Sequence, residues 1–287
     1  MLESLPNLRD LWQYIRVVAA SLSQILASLE QQAPPRFAEA WDNVGLLLEP
    51  VPVEQAAPVS RVLLTIDLSD DVVSEAEALG ATLIIAYHPP IFQGLKRLRS
   101  SDATERALLR CVARGIALYS PHTALDAAPR GVNDWLLDAF GPGERAPCLP
   151  HVADARFGQG RGVRLTEPVA LADAVLAIKR HLGLAQLRVA AAPAHAAGGA
   201  LVQSVAVCAG AGGSVFEKLS GFDLYLTGEM RHHDVRARVL SGSSVVLCDH
   251  TNSERGFLPV LAARLQNATS GVQFHLAACD RDPLSIV

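Results

Sequence analysis

Aromatic residues make up only 5% of the chain and charged residues 19%, below the roughly 25% charged fraction of average globular proteins. With 50% hydrophobic residues and a mean hydropathy of +0.23, that shortage of charge excludes a disordered chain rather than a folded one. Long apolar runs are missing as well, since no window holds the roughly 18 uninterrupted apolar residues that a membrane span needs. The longest candidates, Ala81 to Tyr87 and Val245 to Cys248, have the length of buried strands. Lysine is almost absent, at Lys96, Lys179 and Lys218 alone, and the net charge is −4 with no block of like charge. Such a chain has no overall field to draw nucleic acid, and its arginine bias reads as codon composition. The five cysteines, Cys111, Cys148, Cys208, Cys248 and Cys279, are far apart, odd in number and form no C-x-x-C pair. They exclude a disulfide scaffold and point to a reducing compartment with buried thiols. The first twenty residues carry Glu3, Asp10 and Arg16 and lack the apolar core of a secretory signal. A cytoplasmic protein without a membrane partner is expected.

The 287 residues allow one large domain or two modest ones. From Leu8 to Leu29 apolar residues recur at helical spacing, and Gln31 to Pro35 ends that helix. Arg61 to Ile66 reads as a strand, Asp70 to Leu79 as a helix closed by Gly80, and Thr82 to Tyr87 as a strand covered on both faces. Residues 103–113 read as a helix and 116–119 as a strand. The alternation predicts an α/β domain with a largely parallel sheet and flanking helices. The stretch 141–199, rich in Pro, Gly, Ala and Arg with one helix over 171–182, reads as part of a second lobe. Strand signals return at 202–208, 222–226 and 245–248, followed by a helix over 254–266. The resulting division is 1–143 for the first part of a metal-site lobe, 144–221 for a smaller lobe, and 222–287 for the second part of the metal-site lobe.

Chemistry accumulates just after the predicted strands. Arg61 to Ile66 is followed by Asp67, Thr82 to Tyr87 by His88, and 116–119 by Ser120, His122 and Asp126. Residues 222–226 lead to Glu229, His232 and His233, and 245–248 lead to Asp249, His250 and Glu254. In an open parallel sheet ligands bind outside the carboxyl ends of the strands, so these side chains are expected at one edge of one sheet. Histidine with carboxylate suits a borderline divalent ion such as Zn, Mn, Fe or Co. Each piece has a plainer explanation. His88 in Y-H-P-P fits a strand-end turn, and His122 to Asp126 fits a helix-entry hydrogen bond. Thr251 to Glu254 matches a capping box, which would leave Glu254 without chemistry. His232 and His233 fit an exposed helix start. Cys248 near His250 has no nucleophile pattern, and Gly210 to Ser214 reads either as a tight turn or as a phosphate-cradling loop without the G-K-[S/T] ending.

The motifs W-D-N-V-G-L-L at Trp41 to Leu47, Y-H-P-P-I-F at Tyr87 to Phe92, S-P-H-T-A-L-D at Ser120 to Asp126, T-G-E-M-R-H-H-D at Thr227 to Asp234 and D-H-T-N-S-E-R-G at Asp249 to Gly256 follow one another over 41–256. In this the chain resembles the Nif-three-like dinuclear metal proteins, often labelled type 2 GTP cyclohydrolase I. The resemblance implies a two-lobed α/β fold, one or two divalent ions per chain and a ring-shaped homo-hexamer. By motif position it implies His88, Asp126, His250 and Glu254 as metal ligands, with Glu254 bridging. Many relatives carry H-H at the strand end, where this chain has Tyr87 and His88. His122, His232 and His233 are candidates to substitute for the missing imidazole. Metal-assisted hydrolysis of a nucleotide-like or other small substrate is the natural activity, with Glu229 or His232 as general base or orienting group and Asp67 and Asn43 as pocket groups. The competing expectation is a metal-binding regulatory or scaffold protein without turnover.

Overall fold

The computed structural model describes residues 19–285. Residues 8–18 of the expected first helix lie outside them. Within them helix α1 spans Leu22–Gln32, because Ala20 is tied to Val59 in an antiparallel bridge and Ser21 caps the first turn. The Ser21 hydroxyl accepts from the Gln24 amide at 3.2 Å while the Gln24 side chain accepts from the Ser21 amide at 2.9 Å, so two free helix-end donors are satisfied reciprocally. Strand β1 (Gly45–Leu48) is followed by β2 (Arg61–Thr65), α2 (Asp70–Leu79), β3 (Leu83–Ala86), α3 (Ala103–Arg114), β4 (Ala117–Ser120), α4 (His122–Ala127) and α5 (Val132–Leu137). Ser69 and Asp102 cap α2 and α3, and Gly80 and Gly115 close them in the left-handed conformation.

The middle of the chain contributes β5 (Gly143–His151), β6 (Asp154–Val169), α6 (Leu171–Leu182), β7 (Arg188–Ala190), α7 (Pro193–Ala196) and β8 (Val202–Ala211). Next come α8 (Gly213–Glu217), β9 (Leu224–Glu229), α9 (His232–Leu240), β10 (Ser244–Leu247), α10 (Leu258–Ala268) and β11 (Gln273–Leu276). The first sheet has the order β1-β4-β3-β2-β11, parallel except for the edge strand β1. The second has the order β5-β6-β8-β9-β10-β7, with β8, β9 and β10 parallel to one another. The fold is therefore the two-lobed α/β arrangement expected. Among the described residues no helix is long and apolar enough to cross a membrane.

Two differences from the sequence reading have simple causes. The strands β9 and β10 hydrogen-bond beside β8 in the second sheet, so the stretch 222–287 is divided between the sheets and only β11 returns to the first. The long hairpin β5/β6 was not expected as strand, because Pro147, Pro150 and the glycines of β6 interrupt the apolar alternation. The prolines lie on an edge strand, where a missing N–H is tolerated. A side chain at Gly158 would strike the Leu149 carbonyl, and one at Gly162 would strike the Phe222 ring.

Alternation decides what each strand covers. Val62, Leu64, Leu83 and Ile85 join a core shared with Val205, Val207, Leu224 and Leu226 of the second sheet and with Leu258, Leu261 and Leu265 of α10. Leu63, Ile84 and Leu118 turn the other way, onto Val72, Val73 and Ala76 of α2 and Leu108 and Cys111 of α3. Both faces of the first sheet are thereby dry, which is why its central strands read as continuous apolar runs.

Candidate metal centre

The carboxyl ends of strands from both sheets meet at one place, which corrects the expectation of a single sheet edge. β3 ends into His88, and β10 ends into Asp249 and His250. Asp249 holds a left-handed φ of 67°, which turns the chain sharply enough to aim the next side chain back over the strand ends. Residues 251–253 form a 3-10 turn, and Glu254 follows with φ −123° and ψ −45°. The capping-box explanation fails here, since no side-chain cap forms and the first helical residue of α10 is Leu258 instead of one near 254. The Glu254 side chain is instead buried, 3% exposed, against two histidines.

His88, His250 and Glu254 offer ligand atoms that all lie within 4.8 Å of one another. His88 Nε2 is 3.3 Å from Glu254 Oε2, and His250 Nε2 is 3.4 Å from Glu254 Oε1. His88 Nε2 and Glu254 Oε2 are buried without any hydrogen-bond partner, and such orphaned atoms cost about 1–3 kcal/mol each unless something satisfies them. The other nitrogen of each ring is oriented by a carboxylate: His88 Nδ1 lies 2.9 Å from Asp67 and His250 Nδ1 3.3 Å from Glu229. That is the arrangement by which carboxylates fix the tautomer of metal-binding histidines. Burial works against a proton on His88, but the Asp67 hydrogen bond and the neighbouring Glu254 charge overcome it and raise the imidazole to about 10. The floor is Gly210, φ 62°, whose missing Cβ would stand 2.8 Å from Glu254 Oε1 and 3.0 Å from His250 Nε2. Two imidazoles, a carboxylate and a cradle that only glycine leaves open fit a divalent ion.

The remaining expected residues are distributed around this triad. Asp126 is not one of the three converging groups. It accepts a hydrogen bond from the Tyr87 hydroxyl, and burial raises its carboxyl to about 6. Glu229 stands beside His250. His232 and His233 meet edge-to-face at the start of α9, where His232 lines a cleft with Arg188, Met230 and Leu247, and neither belongs to the triad. His122, with a positive φ of 27°, packs edge-on to His88 at 5.5 Å between ring centroids, and Asp42 holds its Nδ1 at 2.8 Å. Asn43 ties its side chain to the Ile91 carbonyl, which brings Trp41 and Phe92 together at 5.9 Å beside His122.

Several supports had no signal of their own. Asn133 donates to the Asp126 carbonyl and accepts from the Ala209 amide, joining the last turn of α4 to β8. Ser253 accepts from the Gly210 amide at 2.8 Å and donates to the His250 carbonyl. Asp280 pairs with Arg255 at 2.7 Å and accepts from the Ile66 amide, so the C-terminal segment braces the end of β2. Asp42 was legible only as part of W-D-N.

The family model described as Duf34/NIF3 (NGG1p interacting factor 3) matches residues 20–283. The chain belongs to the Duf34/NIF3 family. It is 41% identical to NIF3-like protein 1 of Drosophila melanogaster over 93% of this chain and 89% of that protein. It is 39% identical to the NIF3 homolog of Schizosaccharomyces pombe over 93% and 98%. The crystal structure of a Bacillus cereus protein related to NIF3 superposes with a TM-score of 0.79 at 22% identity, covering 92% of this chain and 98% of the other. That last likeness establishes the NIF3 fold.

Proposed function

We propose that this protein is a divalent-metal-dependent hydrolase acting on a small, nucleotide-like substrate. The observation that carries the reading is the convergence of His88, His250 and Glu254, two of whose buried atoms have no partner within the protein. A divalent ion bound there supplies Lewis acidity and makes water a nucleophile near neutral pH. The chain's own groups supply the rest. Asp67 and Glu229 hold the imidazoles with Nε2 facing the site. Glu229, about half exposed, is also placed to receive a proton at the mouth. Trp41, 59% exposed, and Phe92 offer aromatic surface at the rim, which favours a substrate with a planar ring.

The competing reading, a metal-binding protein that contacts partner proteins without turnover, draws on the words "interacting factor" in the family description. The two separate in one assay: purified protein loaded with Zn²⁺ or Mn²⁺ is given a panel of nucleotides, and formate and phosphate release are followed. Turnover that vanishes with the metal in His250→Ala is the expected result. Retained metal with no product from any member of the panel overturns the hydrolase and favours the binder.

A further inference from the structure

We infer that the centre of this chain takes a single divalent ion, the Tyr87 phenol filling the neighbouring position and Asp126 serving as the acceptor of that phenol rather than as a ligand. The inference rests on the metal reading above and sharpens it.

Of the side chains at the site, His88 Nε2 and Glu254 Oε2 are the buried atoms left without hydrogen bonds, and they are 3.3 Å apart. One cation at one position satisfies both and reaches His250 Nε2 as well, since that nitrogen is 3.4 Å from Glu254 Oε1. No second set of this kind surrounds Asp126. Among the described residues, His88, His250 and Glu254 are the only three His, Cys, Asp or Glu side chains whose ligand atoms lie within 4.8 Å of one another. His122, whose Nδ1 is held by Asp42, is not part of that set.

Tyr87 accounts for the difference. It lies at the end of β3, fully buried, with its ring 5.4 Å from that of His88 and 6.0 Å from that of His122. Its hydroxyl donates to Asp126 Oδ1. A phenol reaches further than an imidazole and ends in a neutral donor, so it fills space beside His88 and His122 and satisfies an Asp126 oxygen that would otherwise face a cation. Burying Asp126 costs free energy unless it is hydrogen-bonded, and Tyr87 supplies that bond from within the protein. The consequence for chemistry is definite: one ion polarises at one point, whereas clamping attacking and leaving oxygens together needs two ions roughly 3.5–4 Å apart.

The test is metal stoichiometry, read independently of activity. Purified full-length protein is loaded with Mn²⁺ or Zn²⁺, freed of excess metal and measured by plasma mass spectrometry, with electron paramagnetic resonance of the Mn²⁺ samples. One equivalent per chain is expected for the wild type, for Tyr87→Phe and for Asp126→Asn, with the spectrum of an isolated ion. Two equivalents and an exchange-coupled spectrum are expected for Tyr87→His. Two equivalents in the wild type, or a fall in metal content in Asp126→Asn, overturns the single-ion assignment while leaving the metal centre standing. A folded Tyr87→His that stays at one equivalent overturns the role given to Tyr87. Absence of metal from loaded wild type overturns the centre itself and this inference with it.

Discussion

Each imidazole of the triad carries a carboxylate on the nitrogen that faces away from Glu254, and the two carboxylates differ in setting. Asp67 is held close to His88 at 2.9 Å, and its own carboxyl lies below the ordinary range because the His88 hydrogen bond outweighs the opposing effect of burial. Glu229 is further from His250, at 3.3 Å, and about as exposed as Asp67. Orienting groups of this kind are worth about 10–100-fold in metal affinity. Asp67→Asn is therefore expected to weaken metal binding by that order, and Glu229→Gln by less, as measured by competition with a chromogenic chelator. Equal affinities in Asp67→Asn and wild type would remove Asp67 from the site. At this scale His88, His250 and Glu254 were legible in sequence from residue type and from their place after strands. The partners of their far nitrogens were only partly so, because Asp67 and Glu229 meet the histidines across strands.

At the scale of elements, two glycines with nearly the same positive φ allow conformational cost to be separated from site geometry. Gly115 closes α3 at φ 66° with no atom within 4 Å of where a Cβ would stand. Gly210 ends β8 at φ 62°, and there a Cβ would meet Glu254 and His250. An L side chain in the left-handed region costs about 1–2 kcal/mol. Gly115→Ala is expected to lower stability by about that amount in denaturant unfolding and to keep its metal. Gly210→Ala is expected to show a similar loss of stability together with a sharp fall in metal content. Unaltered metal binding in Gly210→Ala would show that the cradle is not where the ion sits. The loop Gly210 to Ser214 could be read as a turn or an anion cradle from its composition. Its function as a floor became visible only once β8 was placed beside the turn that carries His250 and Ser253.

Across the whole molecule, the site is built from two sheets whose inner faces share one core, so the geometry of the triad and the packing of the lobes depend on the same strands. The C-terminal segment adds to this, with Asp280 bracing β2 and Arg255. We propose the ring-shaped hexamer that the family resemblance implies, and static light scattering is expected to give a mass near six times the 30.5 kDa chain. A monomer across a range of concentrations would count against that assembly. The alternation of short buried strands and helices was legible over 61–120 because strands covered on both faces must be apolar throughout. The hairpin β5/β6 was not, since an edge strand tolerates proline and its glycines answer to close neighbours rather than to any period.

The amino-acid sequence by itself determined the class of fold, the presence of metal-capable side chains after the strands and membership of a family, because hydrophobic period and motif order are local properties of the chain. Only the tertiary structure decided which of those side chains converge, that Glu254 is a buried acid and not a helix cap, and that Asp126 accepts a hydrogen bond from Tyr87. The reason is physical: a ligand set is defined by distances of a few ångströms between residues far apart in sequence, and those distances exist only after the two sheets have packed.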